Sequence, residues 1–275
     1  MICKTKPSGC APRIGSTRSS WRTLGACALV FALAIAAPAR ADEVDPEIAR
    51  LFERALQEAE TFRNQLRTAE YEAKMRVQDW DGRGRLRGTA KAHAIMRPGD
   101  TRPVTFISRE VEGKVRLPDD KEESKEEDER EVTFQEFARE HRIAERFDFT
   151  VVGSEEVAGG SARRIAFQPK AIQPPKKNTA DRFIAAISGT AWISEETNKL
   201  VKFEMKLNRP FQLLWILAVL KDLEINYELL SPGEILGHAR LKVVFALSTP
   251  VYSIRQQHDV DLDKFRRRET VTAAR

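Results

Sequence analysis

From Tyr71 onward, apolar and polar positions alternate along most of the chain. Tyr71, Ala73, Met75 and Val77 alternate with Glu72, Lys74, Arg76 and Gln78. Ala90, Ala92, Ala94 and Met96 alternate with Lys91, His93 and Ile95. The period is two, which predicts strands with one buried and one wet face. Asp81-Gly82, Arg97-Pro98-Gly99-Asp100, Gly159-Gly160 and Ser231-Pro232-Gly233-Glu234 punctuate the arms as turns. The clearest hairpin runs from Gly189 to Glu204. Its polar tetrad Glu195-Glu196-Thr197-Asn198 separates two β-rich arms, and Val201, Phe203, Met205 and Leu207 share one face of the second arm. Similar arms follow at Leu223–Leu229, Leu241–Leu247 and Tyr252–Leu262.

Three segments break the alternation. Asp45 to Arg67 has helical spacing, with Asp45 as cap and Pro46 at the first helical position. Its stripe is Ile48, Leu51, Phe52, Ala55, Leu56, Ala59, Phe62 and Leu66. Thr133 to Phe147 also reads as helix, anchored by Phe134, Phe137 and Ile143. Phe211 to Leu220 is almost wholly apolar. As a helix it would be about 15 Å long, too short to span a bilayer. It is expected as a helical or apolar lid or plug, or as a surface that meets lipid.

About nine to eleven one-sided arms joined by short turns predict an antiparallel meander, which at that length curls or closes. The expected fold is α+β and mostly antiparallel β. It is a large, curved, open half-barrel with an N-terminal amphipathic helix and a lid. The shallow row Ala90, Ala92 and Ala94 leaves room on the inner face for a packed helix or a ligand.

Composition adds a compartment. Residues 1–21 are basic and free of acids, Leu24 to Ala37 is an apolar run, and Ala39-Arg40-Ala41 is a small-x-small cleavage site. This pattern predicts a secretory signal peptide, residues 1–41, cut after Ala41. An uncleaved anchor is the alternative. Leu24-Gly25-Ala26-Cys27 resembles a lipidation box but precedes the apolar run that such a box should follow. Cleavage removes Cys3, Cys10 and Cys27, every cysteine of the chain. It leaves 40 basic and 41 acidic residues, so the mature net charge is −1 and gives no nucleic-acid signal. Residues 42–275 then form one domain, with a charged insertion at about 118–131 that carries too little apolar surface to be buried.

Catalytic chemistry has no foothold in these residues. The four histidines, His93, His141, His238 and His258, are not at ligand spacing. There is no nucleophile elbow, phosphate loop or dinucleotide fingerprint. Asp259-x-Asp261-x-Asp263 aligns three carboxylates on one strand face. It lacks the glycine and glutamate of a calcium loop, since Lys264 and Thr270 stand there. No enzyme, metal or cofactor is expected. Arg266-Arg267-Arg268 offers a transient contact with an anionic membrane surface.

The chain resembles the periplasmic lipoprotein carriers and receptors of the Lol system and the wider outer membrane lipoprotein-sorting proteins (a LolA/LolB-like pattern). The matching residues are Gly189, Trp192, Ile193, Thr197, Leu200, Val201 and Glu204 of the hairpin, the strand Ala162–Phe167, and Asp263-Lys264-Phe265-Arg266. The resemblance implies an unclosed barrel with a helical lid over an apolar cavity that accepts acyl chains. It implies a periplasmic carrier or receptor for a lipid or lipidated protein, expected to be a monomer. The candidate ligand-binding residues are Phe211, Leu214, Trp215 and Leu217 in the lid, with Phe203, Met205 and Ala92 on the inner face. The alternative is an envelope sensor or scaffold whose core is filled by its own helices.

Overall fold

The computed structural model describes residues 46–98, 100, 103–116, 133–214, 218–233 and 236–268. The signal segment with Ala41, the insertion, Trp215 and Leu217 lie outside the described residues.

Helix α1 (Pro46–Arg67) opens the described chain and leads into β1 (Ala69–Trp80), β2 (Leu86–Met96) and β3 (Val104–Gly113). Helices α2 (Phe134–Glu140) and α3 (Ile143–Arg146) follow, then β4 (Phe147–Val157) and β5 (Gly160–Pro169). Helix α4 (Thr179–Ile184) precedes β6 (Ile187–Ser194), β7 (Leu200–Leu207), β8 (Phe211–Leu214), β9 (Ala218–Ser231), β10 (His238–Ser248) and β11 (Ser253–Arg267). The strands form one antiparallel sheet in the order β3-β2-β1-β11-β10-β9-β7-β6-β5-β4, with β8 paired to β9 beside this path. The two end strands do not pair with each other, so the sheet is open. Register shifts interrupt most strand pairs, as at Glu70/Glu72, His93/Ala94 and Val151/Gly153. Each extra residue bends its strand and tightens the twist, which curls a sheet this wide.

Alternation sorts the faces. One cross-strand row of the inner face runs Ala92, Met75, Val260, Leu241, Tyr227, Phe203, Ala191 and Ile165. Its outward neighbours are charged and pair across strands, as in Lys74–Asp263 and Arg240–Asp261. The helices cover the inner face over one half of the sheet. Ala55, Leu56 and Ala59 of α1 pack with Phe134, Ile165 and Ile193. Ala138, Ile143 and Ile184 of the shorter helices join Phe147, Phe167 and Phe203. Phe167 meets Phe147 edge-on at 5.5 Å and stacks on Phe203 at 5.9 Å. Over the other half, Ala73, Met75, Ala92, Ala94, Met96 and Val104 form a separate shallow cluster.

Three segments differ from the sequence expectation. Residues 211–214 and 218–220 are not helical; they are two arms of an antiparallel hairpin, with Phe211 opposite Leu220. A short apolar run has no helical signature of its own, and β9 stays paired with β10, across a register shift at Ala246/Leu247, as far as Ser248. The helix expected from Thr133 to Phe147 is broken at Arg142, whose φ of 52° ends one helix and begins the next. Thr133 still caps it, in a capping box with Glu136. The β4–β5 turn is Ala158-Gly159, one residue earlier than the Gly-Gly pair suggests.

Candidate functional site: an apolar chamber under the first helix

Antiparallel pairing brings the β4–β5, β6–β7 and β9–β10 turns to one end of the sheet, where α1 lies against them. Between them is a chamber of about 230 Å³. Ala59 and Phe62 line it from α1, Val157 to Gly160 from the first turn, and Leu200 and Val201 from the second. Tyr227, Leu229 and Leu236 supply the wall from β9 and the third turn. Glu58, Glu196 and Lys199 are the charged residues at its lining.

The geometry follows from turn chemistry. Ala158 and Gly159 both have positive φ, 54° and 80°. That is the backbone of a two-residue type I′ turn, which reverses the chain without splaying the strands. It leaves the small residues Ala158, Gly159 and Gly160 facing the space, so nothing from this turn fills it. Val201 sits just past the register shift between Trp192 and Ile193, at the mouth end of β7.

Tyr227 is the polar member of the wall. It is 4% exposed. Burial pushes its phenol pKa well above the ordinary value, so it is a neutral O–H donor at any physiological pH.

The sequence-derived candidates are spread over the inner face. Phe203 is fully buried and lies directly opposite Tyr227, one step inside Val201. Met205 is one row deeper, opposite Ile225. Ala92 shares the cross-strand row of Phe203 and Tyr227 but is five strand spacings from Phe203, about 24 Å along a flat sheet. Phe211 lies at the opposite end of β9. It packs edge-on against Phe183 at 5.4 Å, with Ala186 and Leu220. Seven residues of strand separate Leu220 from Tyr227, about 23 Å. Leu214 ends β8. Phe203 is thus the candidate that adjoins the chamber. Phe62, Tyr227 and Leu229, which the pattern places on the helix stripe and on one strand face, were not among those candidates. Their signal was the clustering of three Gly- or Asn-containing turns, which becomes a site only once strand order puts them side by side.

Two buried polar clusters lie elsewhere. Asp181 bonds His141 Nδ1 at 2.8 Å and the backbone N–H of Lys177, and pairs with Arg146 at 3.2 Å. Burial acts to raise the Asp181 pKa, but these donors outweigh it and hold the carboxyl below its usual range. Arg146 also donates to the carbonyls of His141, Pro174 and Pro175. At the sheet end remote from the chamber, Asp79 accepts from Gln256 and from the backbone N–H of Arg116, and Gln256 bonds His258. The aligned aspartates are taken up by neighbours: Asp259 by Gln257, Asp261 by Arg240 and His238, Asp263 by Lys74.

No family model and no curated protein sequence matches the chain. Among solved structures, a DUF1329 family protein from Desulfovibrio piger is 12% identical, with a TM-score of 0.27, over 84% of this chain and 96% of that one. A putative outer membrane lipoprotein-sorting domain from Vibrio parahaemolyticus is 10% identical, at 0.25, over 80% and 95%. A LolA superfamily protein from Nitrosomonas europaea is 8% identical, at 0.25, over 78% and 94%. The chain is similar to these domains at the level of fold. Among the described residues, no helix is long and apolar enough to cross a membrane.

Proposed function

We propose that this protein is a periplasmic binding protein that shelters an acyl chain of a lipid or lipidated protein under its first helix. The chamber carries this reading. It is apolar on most of its wall, partly open, and bounded by α1, three turns and the ends of β7 and β9. At about 30 Å³ per water-sized group, about eight such groups fit. At roughly 0.8 kcal/mol per methylene, that burial is worth about 6 kcal/mol before the cost of association. Binding of that strength is exchangeable, as a carrier or receptor requires. A sixteen-carbon chain would fill the chamber with about half its length and leave the rest at the mouth or under a displaced α1.

The test fills and widens the space. Leu229→Trp puts bulk into the chamber, and Phe62→Ala opens its helical wall. Binding of a fluorescent alkyl probe should be lost in the first, with the thermal midpoint within a few degrees of wild type. It should be retained or strengthened in the second. Probe binding unaffected by Leu229→Trp, or absent from wild type, would sink the proposal and leave a sheet filled by its own helices.

A further inference from the structure

The outward face of the sheet carries a second recess, away from the chamber. Cross-strand pairing lines up Glu110, Lys91, Arg76, Asp259 and Lys242 in one row over β3, β2, β1, β11 and β10. His93, Lys74, Asp261 and Arg240 stand in the row beside it. A twisted sheet is saddle-shaped, so its outward face is concave along one diagonal. Here the two rows bound a groove of about 650 Å³. It shares no lining residue with the chamber.

The second row neutralises itself. His93 bonds Glu72, Lys74 pairs with Asp263, and Arg240 pairs with Asp261. The first row does not. Lys91 stands directly opposite Arg76, and like charges so placed repel and weaken the strand pair. On the other side of Arg76 is Asp259, but both its oxygens accept from the Gln257 amide. Among the described residues, Arg76, Lys91 and Lys242 form no ion pair. Three uncompensated cations thus line one groove within about 14 Å, measured along a flat sheet. An anion between Arg76 and Lys91 removes the repulsion that the fold leaves standing.

A phosphate monoester fits that place. It carries close to two negative charges at neutral pH. The Arg76 fork can take two of its oxygens and the Lys91 ammonium a third. A carboxylate brings one charge to two cations. The groove is larger than a phosphate. At about 30 Å³ per water-sized group it holds about twenty such groups, the size of a hexose phosphate. The rest of its lining includes Ser108, Glu110 and Asp261. These bond hydroxyls well and repel further negative charge, which disfavours a run of acidic residues. A recess of this shape also excludes a flat bilayer surface.

We propose that the outward groove binds a soluble phosphate ester of a polyhydroxyl molecule, a sugar phosphate in class, with the phosphate between Arg76 and Lys91 and the hydroxyls toward Ser108 and Glu110. The site is independent of the acyl-chain reading.

Titration calorimetry of the full chain at low salt tests it with glucose 6-phosphate, glucose and inorganic phosphate. Glucose 6-phosphate should bind tighter than either of the others. Arg76→Gln/Lys91→Gln should weaken it about ten-fold or more, the scale of a lost charged hydrogen bond. Lys206→Gln, which removes an outward cation on β7, should leave binding unchanged. The thermal midpoint of the double variant should equal or exceed that of wild type, because both side chains are exposed and repel each other. Equal binding by wild type and the double variant overturns the site. An equal loss in Lys206→Gln shows general surface attraction only and overturns it too. Inorganic phosphate bound as tightly as the sugar phosphate overturns the polyhydroxyl carrier. Sedimentation with phosphatidic acid vesicles that needs Arg76 and Lys91, without binding of glucose 6-phosphate, overturns the soluble ligand in favour of a lipid headgroup.

Discussion

Gly189 faces Phe167 across the β5–β6 ladder. A Cβ on Gly189 would lie 2.0 Å from the Glu204 carbonyl oxygen and 2.6 Å from the Phe167 ring. One contact is backbone and the other a core aromatic held between Phe147 and Phe203, so neither can yield cheaply. Gly189→Ala should therefore destabilise the protein by about 1–3 kcal/mol, the cost of overpacking a well-filled core. It should appear in urea unfolding as a lower midpoint with unchanged slope. Gly160→Ala is the control. A Cβ there meets nothing within 4 Å, and the change should stay within about 0.5 kcal/mol. Ala158 presents the converse case. An alanine at φ 54° pays about 1–2 kcal/mol for a left-handed backbone. Ala158→Gly should recover about 0.5–1 kcal/mol of it, after the greater unfolded-state freedom of glycine is counted. The inward assignment of Val201, Phe203 and Met205 was legible because period-two alternation depends on local sequence alone. The need for glycine at 189 was not. It depends on an aromatic 22 residues earlier and on a carbonyl from the next strand.

At the scale of elements, the same contrast explains why the strands and the first helix could be read while the strand form of residues 211–214 and 218–220 could not. Strand and amphipathic helix each carry their own period. Phe211 to Leu220 carries none, and its form was decided by β10, which pairs with β9 through Leu220 and Val219. The corner of α2, α3 and α4 was equally hidden, because His141, Arg146, Lys177 and Asp181 form no motif. Three short helices and a proline-rich loop meet on one buried ion pair. Asp181→Ala should leave the Arg146 guanidinium, 1% exposed, without its counter-charge. A loss of about 3–5 kcal/mol is expected, the usual effect of breaking a buried pair from one side. Adding Arg146→Met should restore part of that loss, since the orphaned charge goes with it. Equilibrium unfolding of both variants measures the difference. Equal stability of the single and double variants would show that the Arg146 charge is compensated elsewhere.

Across the whole molecule, the two ends of the sheet differ in chemistry. The end at the β9–β10 turn holds the apolar chamber. The end at the β1–β2 and β10–β11 turns buries Asp79, Gln256 and His258 on the inner face. His258 stacks on Phe245 at 5.6 Å and bonds Gln256 Oε1. Burial pushes its pKa down to about 4, with the neighbouring Asp259 opposing only in part. In the unfolded chain a histidine titrates near 6.5. As pH falls from about 6.5 to about 4, the unfolded state therefore takes up a proton that the folded state refuses. Stability rises with pH across that window and is lost on acidification through it, by on the order of 3 kcal/mol in all. Asp181 has the opposite character. Its lowered pKa gives stability that is present above the unfolded carboxylate range and lost only below about pH 3.8. Unfolding free energies measured from pH 7 to pH 4 should thus fall in wild type and stay nearly level in His258→Phe, which keeps an aromatic ring against Phe245. Binding of an uncharged fluorescent alkyl probe in the chamber should hold nearly constant through the same range, because neither the probe nor the apolar wall it meets takes up a proton. A parallel loss of probe affinity and stability between pH 6.5 and 4 would mean that the two ends are energetically coupled. The sheet would then act as one spring rather than as a scaffold with two independent sites.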